Sequence, residues 1–341
     1  MHVYTIDFET YYNTKDKYSL SSMSTEDYVF DDRFEIIGVG VWRDDDPVGW
    51  FSGTEEETRA WLNQFDLENH AVAGHHLIFD GLILARLGIY PKFYACTESM
   101  CRPFLKPLLK SLGLASVGVY LGLGVKGDDV IRADGMRRKD FTAAQLRTYL
   151  GDYCLDGDCR LTRGVYNWAR PRLPAEEMRL IDMTLRMYLQ PMFLLDAKVY
   201  EQGLADVRER KEKILREMEV QGITADVLRS NDKFPELLRQ RGIEVPMKPS
   251  PASLKKGEVP VKMIPALGKA DPEFIALREE YADDLETTML LNARVSEKST
   301  QEETRNQTFL DIARKHKHLR AEVGYYNAHT GRYTAKEQDR K

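Results

Sequence analysis

Two carboxylates, two residues apart on an opening β-strand, constrain this chain more than any other feature. Val3-Tyr4-Thr5-Ile6 is rich in β-branched and aromatic residues and reads as a strand, running on into Asp7-Phe8-Glu9-Thr10. Successive strand side chains alternate, so Asp7 and Glu9 share one face. Side by side on a core strand, they repel each other unless a cation lies between them. The alternative is that the strand ends before Asp7 and both acids are solvated. Two more acids stand in distinctive settings: Asp80 closes Gly74-His75-His76-Leu77-Ile78-Phe79-Asp80, and Asp158 opens Asp158-Cys159-Arg160-Leu161-Thr162. Singly, such acids are more often turn or cap residues. Together they offer the oxygen ligands that a hard divalent ion wants, and a pair of such ions is what two-metal phosphodiester chemistry requires.

These settings resemble the proofreading 3′→5′ exonuclease domain of family-A DNA polymerases, phage ones in particular. The family's Asp-x-Glu on the first strand matches Asp7 and Glu9. Its second motif matches His76 to Asp80, with His76 where Asn is usual, and its third matches Tyr153, Asp158, Leu161 and Thr162. Phe34 to Val41, as second strand, and Lys139-Asp140-Phe141-Thr142, before the third motif, also agree. The resemblance implies an α/β, RNase H-like fold for residues 1–170: a mixed sheet flanked by helices. It further implies Mg²⁺ or Mn²⁺, two per site, held by Asp7, Glu9, Asp80 and Asp158. Tyr153 would orient the attacking water, while Thr10 and His76 would contact the terminal nucleotides, and Phe8 offers a ring for a base to stack on.

One departure matters. The family's Tyr lies four residues before the metal-binding Asp, whereas Tyr153 lies five before Asp158. On an ideal α-helix those spacings are ~40° and ~140° from alignment. Either Gly157 marks a bulge that restores the facing, or Asp156 is the ligand, or the Tyr is not used. The apolar face through Leu146, Leu150, Cys154, Leu161 and Val165 favours Asp158, which it leaves flanking the core.

The first ~170 residues alternate strands and helices. Gly113 to Gly127 is glycine-punctuated and reads as a flexible loop beside the cleft, with Lys126 as a candidate phosphate contact. Arg132, Arg137, Arg138 and Lys139 are surface bases near the third motif, candidates for a strand contact. From Pro174 the pattern turns to long helices, Ala175 to Leu194 and Val199 to Gln221, with Lys248 to Pro265 loop-like and helix again from Asp271 to about Lys317.

Residues 171–341 resemble the family's helical thumb and the entry to its palm, through Lys298-Ser299-Thr300 and Gly324 to Tyr333. Lys298 and Arg332 are therefore candidate DNA contacts. The family's polymerase motifs would lie beyond Lys341, so the resemblance is to the front part of such an enzyme, as a fragment or as one product of a split gene.

A net charge of −5 gives no global attraction to nucleic acid, so binding must use local basic patches. No apolar run approaches the ~18 residues of a membrane span, and the opening strand leaves no room for a signal peptide. The four cysteines lack zinc spacing and suit a reducing compartment, which places the expected location in the cytoplasm, the host's if the gene is a phage's. The expected activity is removal of nucleotides from DNA 3′ ends, single-stranded or at a primer-template. The rival is a catalytically weak DNA-binding half that awaits a separate polymerase polypeptide, its basic tail Lys336 to Lys341 near a partner surface of Tyr325, Tyr326 and Tyr333. RNA trimming is a lesser alternative.

Overall fold

A computed structural model describes residues 1–126, 133–328 and 330–335. The chain forms two compact units, one of Met1–Phe193 with the described residues of Arg320–Lys341, the other of Leu194–Leu319.

The first unit is built on a five-stranded sheet. β1 (Val3–Thr10), β2 (Ile36–Arg43) and β3 (Asp46–Phe51) form an antiparallel meander; β4 (Ala71–Gly74) and β5 (Phe93–Cys96) add parallel strands on the other side of β1. The order is therefore β3-β2-β1-β4-β5, which puts β1 at the centre. Helices cover the faces, as a sheet with two apolar sides requires. After β1 comes the short α1 (Thr25–Val29), capped by Ser24. Next is α2 (Glu55–Asn63), where the Thr54 hydroxyl and the Glu57 carboxylate close a reciprocal cap. α3 (Ile78–Arg86) follows β4, and α4 (Thr97–Leu105) follows β5.

Gly113 to Gly127 is not simply a loop. Its front half is α5 (Leu114–Tyr120), because Leu114 and Val117 have a core to bury against. Arg132 and Lys336 to Lys341 lie outside the described residues.

The third-motif segment opens with α6 (Ala143–Leu146) and runs on as a π-helix over Arg147–Cys159, then α7 (Arg160–Ala169). The compact unit also extends past residue 170. It takes in α8 (Ala175–Leu189), where Asp182 accepts the Tyr94 N–H of β5 at 2.8 Å, and Gly81 lets the Leu189 side chain close on α3. The chain returns to this unit at Arg320, which reaches Glu26 and the Tyr188 carbonyl.

The second unit is mainly helical. α9 (Ala197–Glu219) lies antiparallel to α15 (Gln301–Lys315), with Tyr200 stacked on Phe309 and Gly203 against Asn306. Between them come α10 (Ala225–Arg229), α11 (Lys233–Gln240), α12 (Pro251–Lys256), α13 (Pro272–Glu280) and α14 (Leu285–Lys298). Phe234, Phe274, Leu290 and Leu291 fill a core of their own. The expected loop at 248–265 instead holds a strand pair, Met247–Pro249 with Met263–Pro265, enclosing α12. Ser250 caps that helix and Pro251 starts it, a signal hidden among the prolines.

Candidate metal centre

Strand alternation on β1 does what the sequence required. Ile6 and Phe8 are 1% and 4% exposed, while Asp7 and Glu9 share the other set of positions and stay half-buried. On the neighbouring strand, Asp7 pairs with Gly40 and Glu9 with Gly38. Those glycines carry a packing load. A Cβ at Gly38 would sit 2.3 Å from a Leu150 methyl, and one at Gly40 would sit 2.8 Å from Cys154 Sγ. Their absence lets the π-helix settle directly on the strands that carry the acids. Trp42 Nε1 fastens it further, donating to the Leu155 carbonyl at 2.9 Å.

That approach delivers two groups to β1. The Tyr149 hydroxyl donates to Glu9 Oε2 at 2.5 Å. The Cys154 thiol donates to the Asp7 carbonyl at 3.3 Å and lies 3.5 Å from Asp7 Oδ2. Asp80 enters from the first turn of α3, where the helix dipole favours a carboxylate, and it accepts the Phe8 N–H at 3.0 Å. Asp158, on the π-helix, is 6% exposed and ion-paired with Lys126.

All four acids line one cavity of about 390 Å³, and Thr10, His76, Lys126 and Tyr149 line it as well. Thr10 is held by a 2.8 Å hydrogen bond to the Tyr28 hydroxyl. His76 sits at a left-handed φ of 63°, with Nδ1 2.7 Å from Glu98 Oε2. Phe8 also lines the cavity; it is 4% exposed, and its N–H is the one given to Asp80.

Tyr153 is half-buried and does not line this cavity. Tyr149 does, and the sequence reading passed it over. It lies nine residues before Asp158, which on an α-helix is ~180° away. The π-helix closes i→i+5 bonds instead, so two of its wider turns bring Tyr149 and Asp158 to one side. The only sequence hint was the extra residue between Tyr153 and Asp158. Arg137, a candidate strand contact, is engaged by Glu35 and lies over the Tyr11 ring; Arg138 lends its N–H to the same Glu35 carboxylate, while Lys139 is exposed.

Enclosing four carboxylates is costly, and the acids register it. Burial raises Asp7 well above the ordinary carboxylate range, with Asp80, Asp158 and Glu9 adding repulsion. Burial also raises Glu9 to about 7, against the opposing Tyr149 hydrogen bond. Asp80 rises to about 7, chiefly by burial, although the Phe8 N–H opposes it. Asp158 is raised by burial as well, with Lys126 pulling the other way. Burial works against the Lys126 ammonium, yet Asp158, Asp7 and Glu9 hold its pKa above the usual value.

The donor set fits a hard divalent cation. Single ligand atoms of Asp7, Glu9 and Cys154 lie within 4.8 Å of one another. The thiol is the misfit among them: a hydrogen bond with Cys159, then burial and the nearby Asp7, push it well above its ordinary pKa. It therefore stays a protonated donor to Asp7, leaving oxygens as the ligands. All four cysteines are free and buried.

The remaining expected contacts are elsewhere. Lys298, in the second unit, donates to Asn231 Oδ1 at 2.6 Å and lines an open cleft of about 1010 Å³. Arg332 is exposed in the first unit. Among the described residues, no helix is long and apolar enough to cross a membrane.

No protein-family model matches the chain, and no curated protein matches it either. Among solved structures, the chain is similar to the POL domain of Pol1 from M. smegmatis, in complex with DNA primer-template and dNTP, with a TM-score of 0.52 and 12% identity. The match covers 89% of this chain and 48% of that one. A second, NrnC of Brucella melitensis bound to pGG, has a TM-score of 0.36 and 16% identity over 54% of this chain and 80% of that one. The chain thus spans about half the length of that POL domain, to which it is similar in fold.

Proposed function

We propose that this chain is a two-metal 3′→5′ exonuclease of RNase H-like fold, which hydrolyses the terminal phosphodiester of a DNA strand and releases nucleoside 5′-monophosphates. The observation that carries this reading is the gathering of Asp7, Glu9, Asp80 and Asp158 around one cavity, three of them on separate elements of the first unit. Mg²⁺ or Mn²⁺, when bound by these carboxylates, would supply an acidified water and positive charge for the departing 3′ oxygen.

The chain's own groups would do the rest. Tyr149 holds one Glu9 oxygen, fixing that carboxylate, and its phenol is placed to steady the attacking water; this role falls to Tyr149 rather than Tyr153 because Tyr149 lines the cavity. Thr10 and His76 would contact the terminal nucleotide. Glu98 takes His76 Nδ1 and so leaves Nε2 for the substrate. A splayed single-stranded end suits a cavity of this size, and DNA, as a single strand or frayed primer-template, would be the partner.

The test is digestion of 5′-labelled single-stranded DNA with Mg²⁺, Mn²⁺ or EDTA, beside an Asp7→Ala variant. A metal-dependent ladder, lost in the variant, is the expected result; intact DNA under every condition would overturn the reading.

A second reading has its own support. Arg239, Lys248, Lys262, Lys269, Arg294 and Lys298 line the cleft of the second unit, against Asp232 and Asp271. Such a surplus of bases suits a phosphate backbone, and the unit would then grip duplex DNA as a thumb does, for a polymerase carried on this or a separate polypeptide. Retained DNA affinity in an inactive Asp7→Ala chain, lost with Lys262→Glu and Lys298→Glu, would support that role.

A further inference from the structure

Lys126 is a cationic residue of the cavity lining to which the proposed chemistry gives no part. Its ammonium pairs with Asp158 inside the cavity that also holds Asp7, Glu9 and Asp80. Asp158 is 6% exposed, and the ammonium lies directly on its Oδ2. The close-set ligand group is elsewhere, made by Asp7 and Glu9 with the Cys154 thiol and without Asp158. Among the described residues, Lys126 is thus the one ammonium lining the cavity of the four acids: it pairs with Asp158, and its charge also acts on Asp7 and Glu9. A divalent ion at Asp158 would meet an ammonium at ion-pair distance, like charge against like. Lys126 follows a short arm in which Gly122 and Gly124 take φ of 69° and 136°, which favour glycine. The base of the arm is tied where the Leu123 N–H donates to the Gly118 carbonyl at 2.9 Å.

We propose that Lys126 guards the second metal position: without nucleic acid it holds Asp158 and limits the site to one divalent ion on Asp7 and Glu9, and it transfers to a phosphodiester oxygen when a strand enters. This rests on reading the cavity as a metal-dependent nuclease site. Four carboxylates with one ammonium and one divalent ion keep one negative charge, whereas two ions beside the ammonium would leave the empty site positive. The phosphate of an incoming strand supplies the missing negative charge. It also offers Lys126 an anion that an ammonium binds well as a point charge. Lys126 is thus a positioning residue for Asp158 before substrate arrives.

The experiment counts Mn²⁺ ions by isothermal titration of the full chain at constant pH, first without nucleic acid. Wild type should bind one ion and Lys126→Met two, the second at least ~10-fold tighter than any second ion of wild type. Lys126→Arg should restore the count of one. Adding a single-stranded oligonucleotide with a non-hydrolysable phosphorothioate 3′ linkage should bring wild type to two. Two ions in bare wild type, or one in Lys126→Met, would overturn the inference. No ion in wild type would instead sink the metal reading of the whole cavity, and this inference with it. Lys126→Gln, checked by thermal melting, repeats the neutralisation should the Met variant fold poorly.

Discussion

Replacing Asp7 by Asn should make the metal-free protein more stable above neutral pH while abolishing its response to metal. The physical basis is the set of raised carboxyl pKa values. Glu9 goes from 4.5 to about 7 on folding and Asp80 from 3.8 to about 7, so the folded state binds more protons than the unfolded chain between those limits. Stability therefore falls as pH rises from about 4 through about 7, and the penalty is complete above that. Each unit of pKa is worth ~1.4 kcal/mol, so ionising Glu9 in the folded state costs about 3 kcal/mol. The acids are coupled, and the penalties do not simply add. Asp7 is repelled by both Asp80 and Glu9, and burial acts on it most of all. Asn keeps its shape without its charge, and the expected gain in EDTA at pH 8 is about 2 kcal/mol, or ~4–8 °C in melting temperature. The gain should shrink to a few tenths of a kcal/mol only at about pH 3.5, where Asp7 of the unfolded chain is itself largely protonated. With saturating Mn²⁺ wild type should overtake the variant, since ~100 times Kd adds ~2.7 kcal/mol to the binding-competent protein alone. Differential scanning fluorimetry across pH, with EDTA or Mn²⁺, reads all of this. Asp7→Asn no more stable than wild type in EDTA at pH 8, or equally stabilised at about pH 3.5, would refute the reasoning.

Three further outcomes follow from the packing. Gly40→Ala should cost about 1–3 kcal/mol and weaken metal binding, because a Cβ there meets Cys154 Sγ at 2.8 Å and Cys159 Sγ at 3.2 Å; a wild-type melting curve would show that the π-helix yields freely. Tyr149→Phe should lower single-turnover digestion by ~10–100-fold at unchanged melting temperature, while Tyr153→Phe should leave the rate nearly intact; equal effects would remove the distinction between them. In the second unit, Arg294 is 2% exposed and donates to the Leu228 and Ser230 carbonyls and to Asn231. Arg294→Met should strip those acceptors and cost about 3 kcal/mol in urea unfolding of that unit, and a change below ~0.5 would contradict the pairing.

The linear sequence determined whatever rests on local periodicity and residue chemistry. Alternation on Val3–Thr10 put Asp7 and Glu9 on one face. Asp80, four residues beyond His76, was legible as a further acid of the same kind. What stayed hidden depended on partners far along the chain. The 248–265 strand pair needed a register that prolines obscured, and α5 formed because Leu114 and Val117 found a core. The π-helix is the clearest case. An extra residue before Asp158 announced a problem of facing, but not its solution. Only the sheet decided it: Gly38 and Gly40 opened a groove on β2, Leu150 and Cys154 filled it, and the wider helical turn then carried Tyr149 to Glu9. A five-residue helical spacing costs backbone geometry locally, and only burial against those two glycines could offset that cost.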